Sequence, residues 1–413
     1  KAGFWAAIAT VILLSLFGSL QGVMSEHICM AFFMPGLYLL IKFKKWETTF
    51  LAGLLMGIAV MTKMNIAYAL LFLGFFIYYA HYKRQGWIKA IGYAALYGSG
   101  ILLIIALTLL PYYIQGSHGL WVSSVFEAPV AYISARRYSI LKLAPVYVVL
   151  TGFFVFAWKR KLLNFKLIPV QYLLVAIVGV LFAFYKGGRI NGHYLIQLHP
   201  MLLLLVVMAI SELEFFKRFK WKPYFLFILL LIPMETYLEY INIVQNKYQR
   251  DTYFNGEGIS VPKYIQENHL DTQNILFLGY HIGYWALDAK PPTKAATHPS
   301  NICRDELFPF HNNPRVTSME ELRYIMETLQ PKTIVTRKNK RVFDKKEVQQ
   351  NEYIDAYLLK HYKGNFGDID IWNNNKDERK QRSDNAFDHQ MVFVFRSNIV
   401  FTSLDISSVS AAV

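Results

Sequence analysis

Aspartate is missing from the first 250 residues, and only two cysteines, Cys29 and Cys303, occur in the whole chain. Two cysteines are too few for a disulfide framework, and nothing near them has metal-ligand spacing, so they leave the redox compartment open. Also missing is a Gly-x4-Gly-Lys-Ser/Thr phosphate loop. The glycines of GYHIGYW, Gly279 and Gly283, do not have the dinucleotide spacing, so no nucleotide site is expected there. No internal repeat is visible. Acids are scarce early: residues 1–241 hold 7 Glu against 21 Lys+Arg, whereas residues 242–413 hold 21 acids against 22 bases. The net charge of +15 therefore belongs to the first part. There it sits in short loops between apolar runs, as in a membrane protein and unlike a nucleic-acid-binding face.

The apolar runs account for a composition that is 54% hydrophobic and 16% aromatic. Nine spans are expected, at about 4–20, 28–41, 48–62, 66–81, 90–110, 143–158, 168–185, 194–211 and 224–241. Four loops, around Lys42–Lys45, Lys83–Lys89, Lys159–Lys166 and Lys217–Lys222, carry 14 cations and alternate with loops carrying six. The cation-rich loops mark the cytoplasmic side. The expected architecture is a polytopic α-helical membrane domain, 1–241, in the inner (plasma) membrane. A small exterior or periplasmic α/β domain, 242–413, follows it.

In that second part, NILFLG (274–279), KTIVTR (332–337), DIDIW (368–372) and MVFVF (391–395) read as strands. They alternate with helices at Ser318–Gln330, opened by a Ser-x-x-Glu capping box, and around Val348–Tyr362. Alternation of this kind predicts a largely parallel sheet. The run 373–384 reads as a solvated loop.

Chemistry is expected at the exterior ends of the spans. The stretch GGRINGHYLIQLHP (187–200) puts Arg189, His193 and Tyr194 beside Lys186, where an apolar helix should meet water. Glu26 opens one span and Lys63 closes another. Charges at that depth are costly and mark function. Together these cations suit an anionic lipid head group, with Arg for bidentate contact to phosphate and Lys as a point charge. The loop 111–142, with Trp121, Phe126 and Tyr132, reads as an interfacial helix that roofs a cavity; its Glu127, Arg136 and Arg137 are candidates for holding an acceptor.

The succession SEHICMAFFMPGLYLL, TTFLAGLLMGIAVMTKMN and GGRINGHYLIQLHPMLLLL resembles the polyprenyl-phosphate-dependent glycosyltransferases of the GT-C superfamily over roughly residues 1–300. It is most similar to the bacterial relatives of the dolichyl-phosphate-mannose protein mannosyltransferases and of the aminoarabinose transferase. The resemblance rests on Glu26, on Gly53–Lys63 and on His193–Pro200. It implies inverting transfer of a sugar from a polyprenyl phosphate to a hydroxyl of a glycan, lipid or protein acceptor. By resemblance, Lys63, Lys186 and Arg189 contact the donor phosphate, His193 and Tyr194 line the donor pocket, and Glu26 is a secondary acid. The family's principal carboxylate, usually Asp, lies in the first exterior loop, so that loop and two spans are expected upstream of Lys1.

A transporter or flippase of lipid-linked sugars is the competing reading, and a non-catalytic assembly subunit is another. The spans lack the mid-helix acids and repeated halves usual in transporters. No cofactor is evident, and no ligand cluster points to a metal, although a divalent ion is left open.

Overall fold

The computed structural model describes residues 2–21, 24–135, 141, 144–187, 192–218, 234–251, 253, 256–337, 340–362 and 369–373. Among the described residues the first part contains α1 (Ala2–Gln21), α2 (Ser25–Lys42), α3 (Trp46–Thr62), α4 (Ala67–Gln85), α5 (Trp87–Ile114), α6 (His118–Val122), α7 (Ala128–Ala135), α8 (Ala144–Lys159), α9 (Ile168–Gly187) and α10 (His199–Ser211), followed by a short helix, Glu214–Arg218. α2 packs on α3, α3 on α5, α4 on α5 and α9, and α1 on α10. Phe33, Met56, Ile66, Leu73, Ile177, Phe184 and Ile196 are wholly buried at the centre of this bundle.

This is a helical membrane protein, but nine spans are not what the described residues contain. Three helical segments there are long and apolar enough to cross: Met64–Gln85, Trp87–Ile114 and Ile168–Gly187. Length accounts for three of the others. Trp46–Thr62, Ala144–Lys159 and His199–Ser211 have 17, 16 and 13 residues. At about 1.5 Å per residue these reach roughly 20–25 Å, short of a hydrocarbon core about 30 Å thick. The expected span 224–241 lies partly outside the described residues. Where it is described, it joins a helix, Met234–Arg250, that runs across the expected boundary at 241 and carries Glu, Gln, Lys and Arg.

The two ends of the bundle differ chemically. At one end, Trp46 stacks on Tyr93 at 4.2 Å and Tyr93 on His81 at 3.7 Å, while the Tyr93 hydroxyl donates to the Lys44 carbonyl at 2.9 Å. Aromatic rings beside Lys44 and Arg84 are the pattern of a membrane–water interface. At the other end, α2 begins, α3 ends, α9 ends and the 3-10 turn Gly192–Gln197 enters α10.

The second part corrects the expected parallel α/β sandwich. Its sheet has three short strands, β1 (Leu276–Phe277), β2 (Thr333–Arg337) and β3 (Ile369–Asn373), in that spatial order. β1 and β2 are parallel, but β2 and β3 are antiparallel, with Val335 opposite Ile371. Apolar runs mark strands without fixing their direction, which is why the mixed sheet escaped the pattern. MVFVF lies outside the described residues.

The capping box also shifts by one residue. Thr317, not Ser318, caps the helix by accepting from the Glu320 N–H at 3.3 Å, and Glu320 takes the Val316 N–H at 3.0 Å. Glu321 is instead buried and pairs with Arg315.

Candidate functional site

α2 starts at Ser25, so Glu26 falls in its first turn, where a carboxylate complements the helix dipole. The Met24 N–H donates to His27 Nδ1 at 3.1 Å and closes that end of the helix. α3 stops at Lys63, whose extended backbone (φ −148°) turns the chain through Met64–Ile66 into α4. These two ends meet. Lys63 Nζ lies 2.7 Å from Glu26 Oε1 and donates to Ser25 Oγ at 3.3 Å, while Ser25 Oγ donates to Glu26 Oε2 at 3.1 Å.

Glu26 keeps only 1% of its side-chain surface exposed, against 26% for Lys63. A carboxylate that deep must be paired. The Lys63 ammonium supplies that partner as a charge-assisted hydrogen bond to Oε1. His193 Nε2 stands 3.9 Å from the same oxygen. The Tyr194 ring has Lys63 Nζ 5.1 Å from its centre, a cation–π contact, and lies parallel to Phe184 at 6.2 Å. Three separate helix junctions thus put Glu26, Lys63, His193 and Tyr194 in one cluster.

Lys63 has a second face. It lines a cavity of about 620 Å³ together with Lys186 and Tyr194, and most of the remaining wall is apolar. Tyr68 and Phe184 form one side, and Val125, Phe126, Val130, Tyr132 and Ile133 form the other. That second group comes from the segment 111–142: α6 continues through a π-helical turn, Ser123–Glu127, into α7. α7 packs in turn on residues 305–310 of the second part, and the Arg304 guanidinium lies 4.7 Å over the Tyr132 ring. The Lys186 ammonium is 6.0 Å from the Phe182 ring centre, at the last turn of α9.

Of the other sequence candidates, Glu127 is exposed, takes a hydrogen bond from Ser123 Oγ at 2.7 Å and does not line the cavity. Arg136, Arg137 and Arg189 lie outside the described residues. Among the described residues no group of three or more His, Cys, Asp or Glu is gathered to hold a metal ion.

Two residues that the sequence reading passed over hold the site together. Asn65 and Gln197 form a reciprocal amide pair, with Asn65 Nδ2 donating at 3.1 Å and Gln197 Nε2 donating at 2.9 Å. Gln197 is fully buried. Both sit inside apolar stretches, and a buried amide in such a stretch needs a partner, which was the available signal. Asn65→Leu is expected to destabilise the protein by about 1–3 kcal/mol by orphaning Gln197, and Asn65→Leu with Gln197→Leu should recover much of that. Thermal unfolding of the two variants in one detergent checks this; equal losses would remove the amide pair from the account.

No family model, curated protein or solved structure matches the chain. The reading of the site therefore rests on its residues.

Proposed function

We propose that the protein transfers a sugar from a polyprenyl phosphate to a hydroxyl of an envelope acceptor, at the exterior end of the helix bundle. The observation that carries this reading is the amphipathic cavity: apolar over most of its wall, with two lysines, Lys63 and Lys186, in its lining. A lipid phosphate has the same two-part chemistry. The prenyl chain would lie against Phe126, Val130 and Ile133, and the phosphate between the two lysines.

In this reading Lys63 and Lys186 stabilise the charge that builds on the phosphate as the glycosidic bond breaks. Glu26 is a positioning residue. Buried and ion-paired, it fixes the Lys63 ammonium in the cavity lining, and His193 and Tyr194 bound the space beside it. The resemblance to GT-C glycosyltransferases supports the same chemistry and the same sidedness, with residues 242–413 on the exterior face of the plasma membrane.

The test uses the purified protein in lipid nanodiscs with a radiolabelled polyprenyl-phosphate sugar. Sugar transfer should release polyprenyl phosphate. Lys186→Ala should slow release about tenfold, the loss of one charge-assisted contact of roughly 1.5 kcal/mol. Val130→Trp, which fills the apolar arm from an exposed position on α7, should abolish donor binding. Movement of the intact donor across the bilayer with no transfer would overturn the proposal in favour of a flippase.

A further inference from the structure

A second cavity, of about 290 Å³, opens in the part that follows the bundle, and three chain segments meet there. The first is the turn Leu278–His281 after β1, the second is the end of β2 with Arg337, Lys340 and Arg341, and the third is His298–Ser300. Because β1 and β2 run parallel, their carboxyl ends open on one edge. That edge is where open α/β sheets form their ligand crevice.

Gly279 matters to its shape. A Cβ there would come within 3.1 Å of Arg337 Cγ, so the bare glycine leaves room for the arginine to run past it. The Arg337 guanidinium then lies 4.8 Å over the Tyr280 ring.

Charge in the crevice is unbalanced. Arg337, Lys340 and Arg341 line it with a single acid, Asp344. Among the described residues no carboxylate stands within ion-pair distance of Arg337 or Lys340. Two imidazoles add donors. His298 Nδ1 accepts from the Ser300 N–H at 3.1 Å and lies 2.6 Å from Ser300 Oγ, so the neutral ring carries its proton on Nε2. The His281 ring is 4.5 Å away, centre to centre. Partial burial, then His281 and Arg304, lower the His298 pKa, and partial burial, then Arg337, lower that of His281. Both rings are neutral at pH 7 and supply hydrogen bonds without further charge.

We propose that this crevice binds a phosphate monoester carried on a group no larger than a monosaccharide. A phosphomonoester offers three strong acceptor oxygens to three cations, whereas a sugar carboxylate offers two. The volume sits at the lower end of small-molecule sites, which run from about 300 Å³ upward. The crevice is separate from the Lys63 cavity, and the inference does not rest on the activity proposed there.

The experiment is calorimetric titration of the full chain in nanodiscs with glucose 1-phosphate, inorganic phosphate and glucuronate. Glucose 1-phosphate should bind saturably and at least about tenfold more tightly than glucuronate, the discrimination one charge-assisted contact supplies. Arg337→Gln and Lys340→Gln should each weaken it by a similar factor. Both side chains are exposed, so neither change opens the core, and Lys340→Gln decides alone should Arg337→Gln fail to fold. Absence of saturable binding by either phosphate would overturn the proposal. So would glucuronate binding as tightly, or wild-type affinity in both variants.

Discussion

Gly53→Ala is expected to destabilise the bundle by about 3 kcal/mol, while Gly98→Ala, on the helix that Gly53 packs against, should be neutral or stabilising. The single methyl group at position 53 would overlap the Tyr97 carbonyl oxygen and stand 3.2 Å from Gly100 Cα. Both obstacles are backbone, so no rotamer change relieves them. The crowding is mutual: a Cβ at Gly100 would lie 2.6 Å from the Phe50 carbonyl oxygen, and one at Gly57 would lie 2.8 Å from Ile104 Cβ. Close approach through small residues is how helices gain packing energy where the surrounding lipid is as apolar as they are. At Gly98 a Cβ meets nothing within 4 Å, so the substitution there only exchanges a poor helix former for the best one. Thermal midpoints of the two variants in the same detergent make the comparison. Equal shifts would mean that α3 and α5 do not cross at Gly53.

The second large effect concerns Lys63→Ala. Removing the ammonium leaves the Glu26 carboxylate buried with its nearest counter-charge gone. Breaking such a pair from one side costs about 3–5 kcal/mol. The lower figure is expected here, because Lys63 keeps 26% of its side-chain surface in contact with solvent. In the proposed reaction, release of polyprenyl phosphate should fall by roughly 10²–10³, the usual loss when one group that stabilises transition-state charge is deleted. A double change, Glu26→Gln with Lys63→Met, separates the two roles. It should return most of the thermal stability, since neither partner is then an uncompensated charge, and should leave transfer impaired. Recovery of activity along with stability would mean that Lys63 serves the fold alone. An unchanged midpoint in Lys63→Ala would mean that the pair is not buried as described.

The alternation of cation-rich and cation-poor loops assigned Glu26, Lys63, Lys186, His193 and Tyr194 to one expected end, and the structure gathers Glu26, Lys63, His193 and Tyr194 in one cluster with Lys186 in the wall of the adjoining cavity. The sequence did not reveal that Glu26 and Lys63 neutralise each other rather than both facing a ligand. Their contact depends on how the start of α2 meets the end of α3, a tertiary fact that spacing along the chain does not encode. The Gly-x3-Gly run was likewise visible, but only the crossing with α5 shows that it serves close packing and, through packing, the placement of Lys63 at the end of α3. Span number was misjudged for another reason: hydropathy identifies apolar helices but does not measure their length, and helices of 13 or 16 residues fall short of a full crossing. In the second part, Thr333–Arg337 and Val348–His361 fell close to their expected positions. The direction of β3 did not, since it is settled by long-range pairing, and the cap was missed by one residue because Thr317 and Ser318 offer the same hydroxyl at adjacent positions.

Tyr132 belongs to two neighbourhoods at once. One side of its ring helps close the Lys63 cavity, and it also carries the Arg304 guanidinium, whose charge is in turn felt by His298 in the second crevice. A ring in the wall of one compartment thus carries a cation that acts on an imidazole of the other. Cutting the chain between the bundle and the region after it would strip the cavity wall of its outer support. A fragment ending at the last helix of the bundle would therefore bare Tyr132 and α7 where Arg304 and residues 305–310 now cover them.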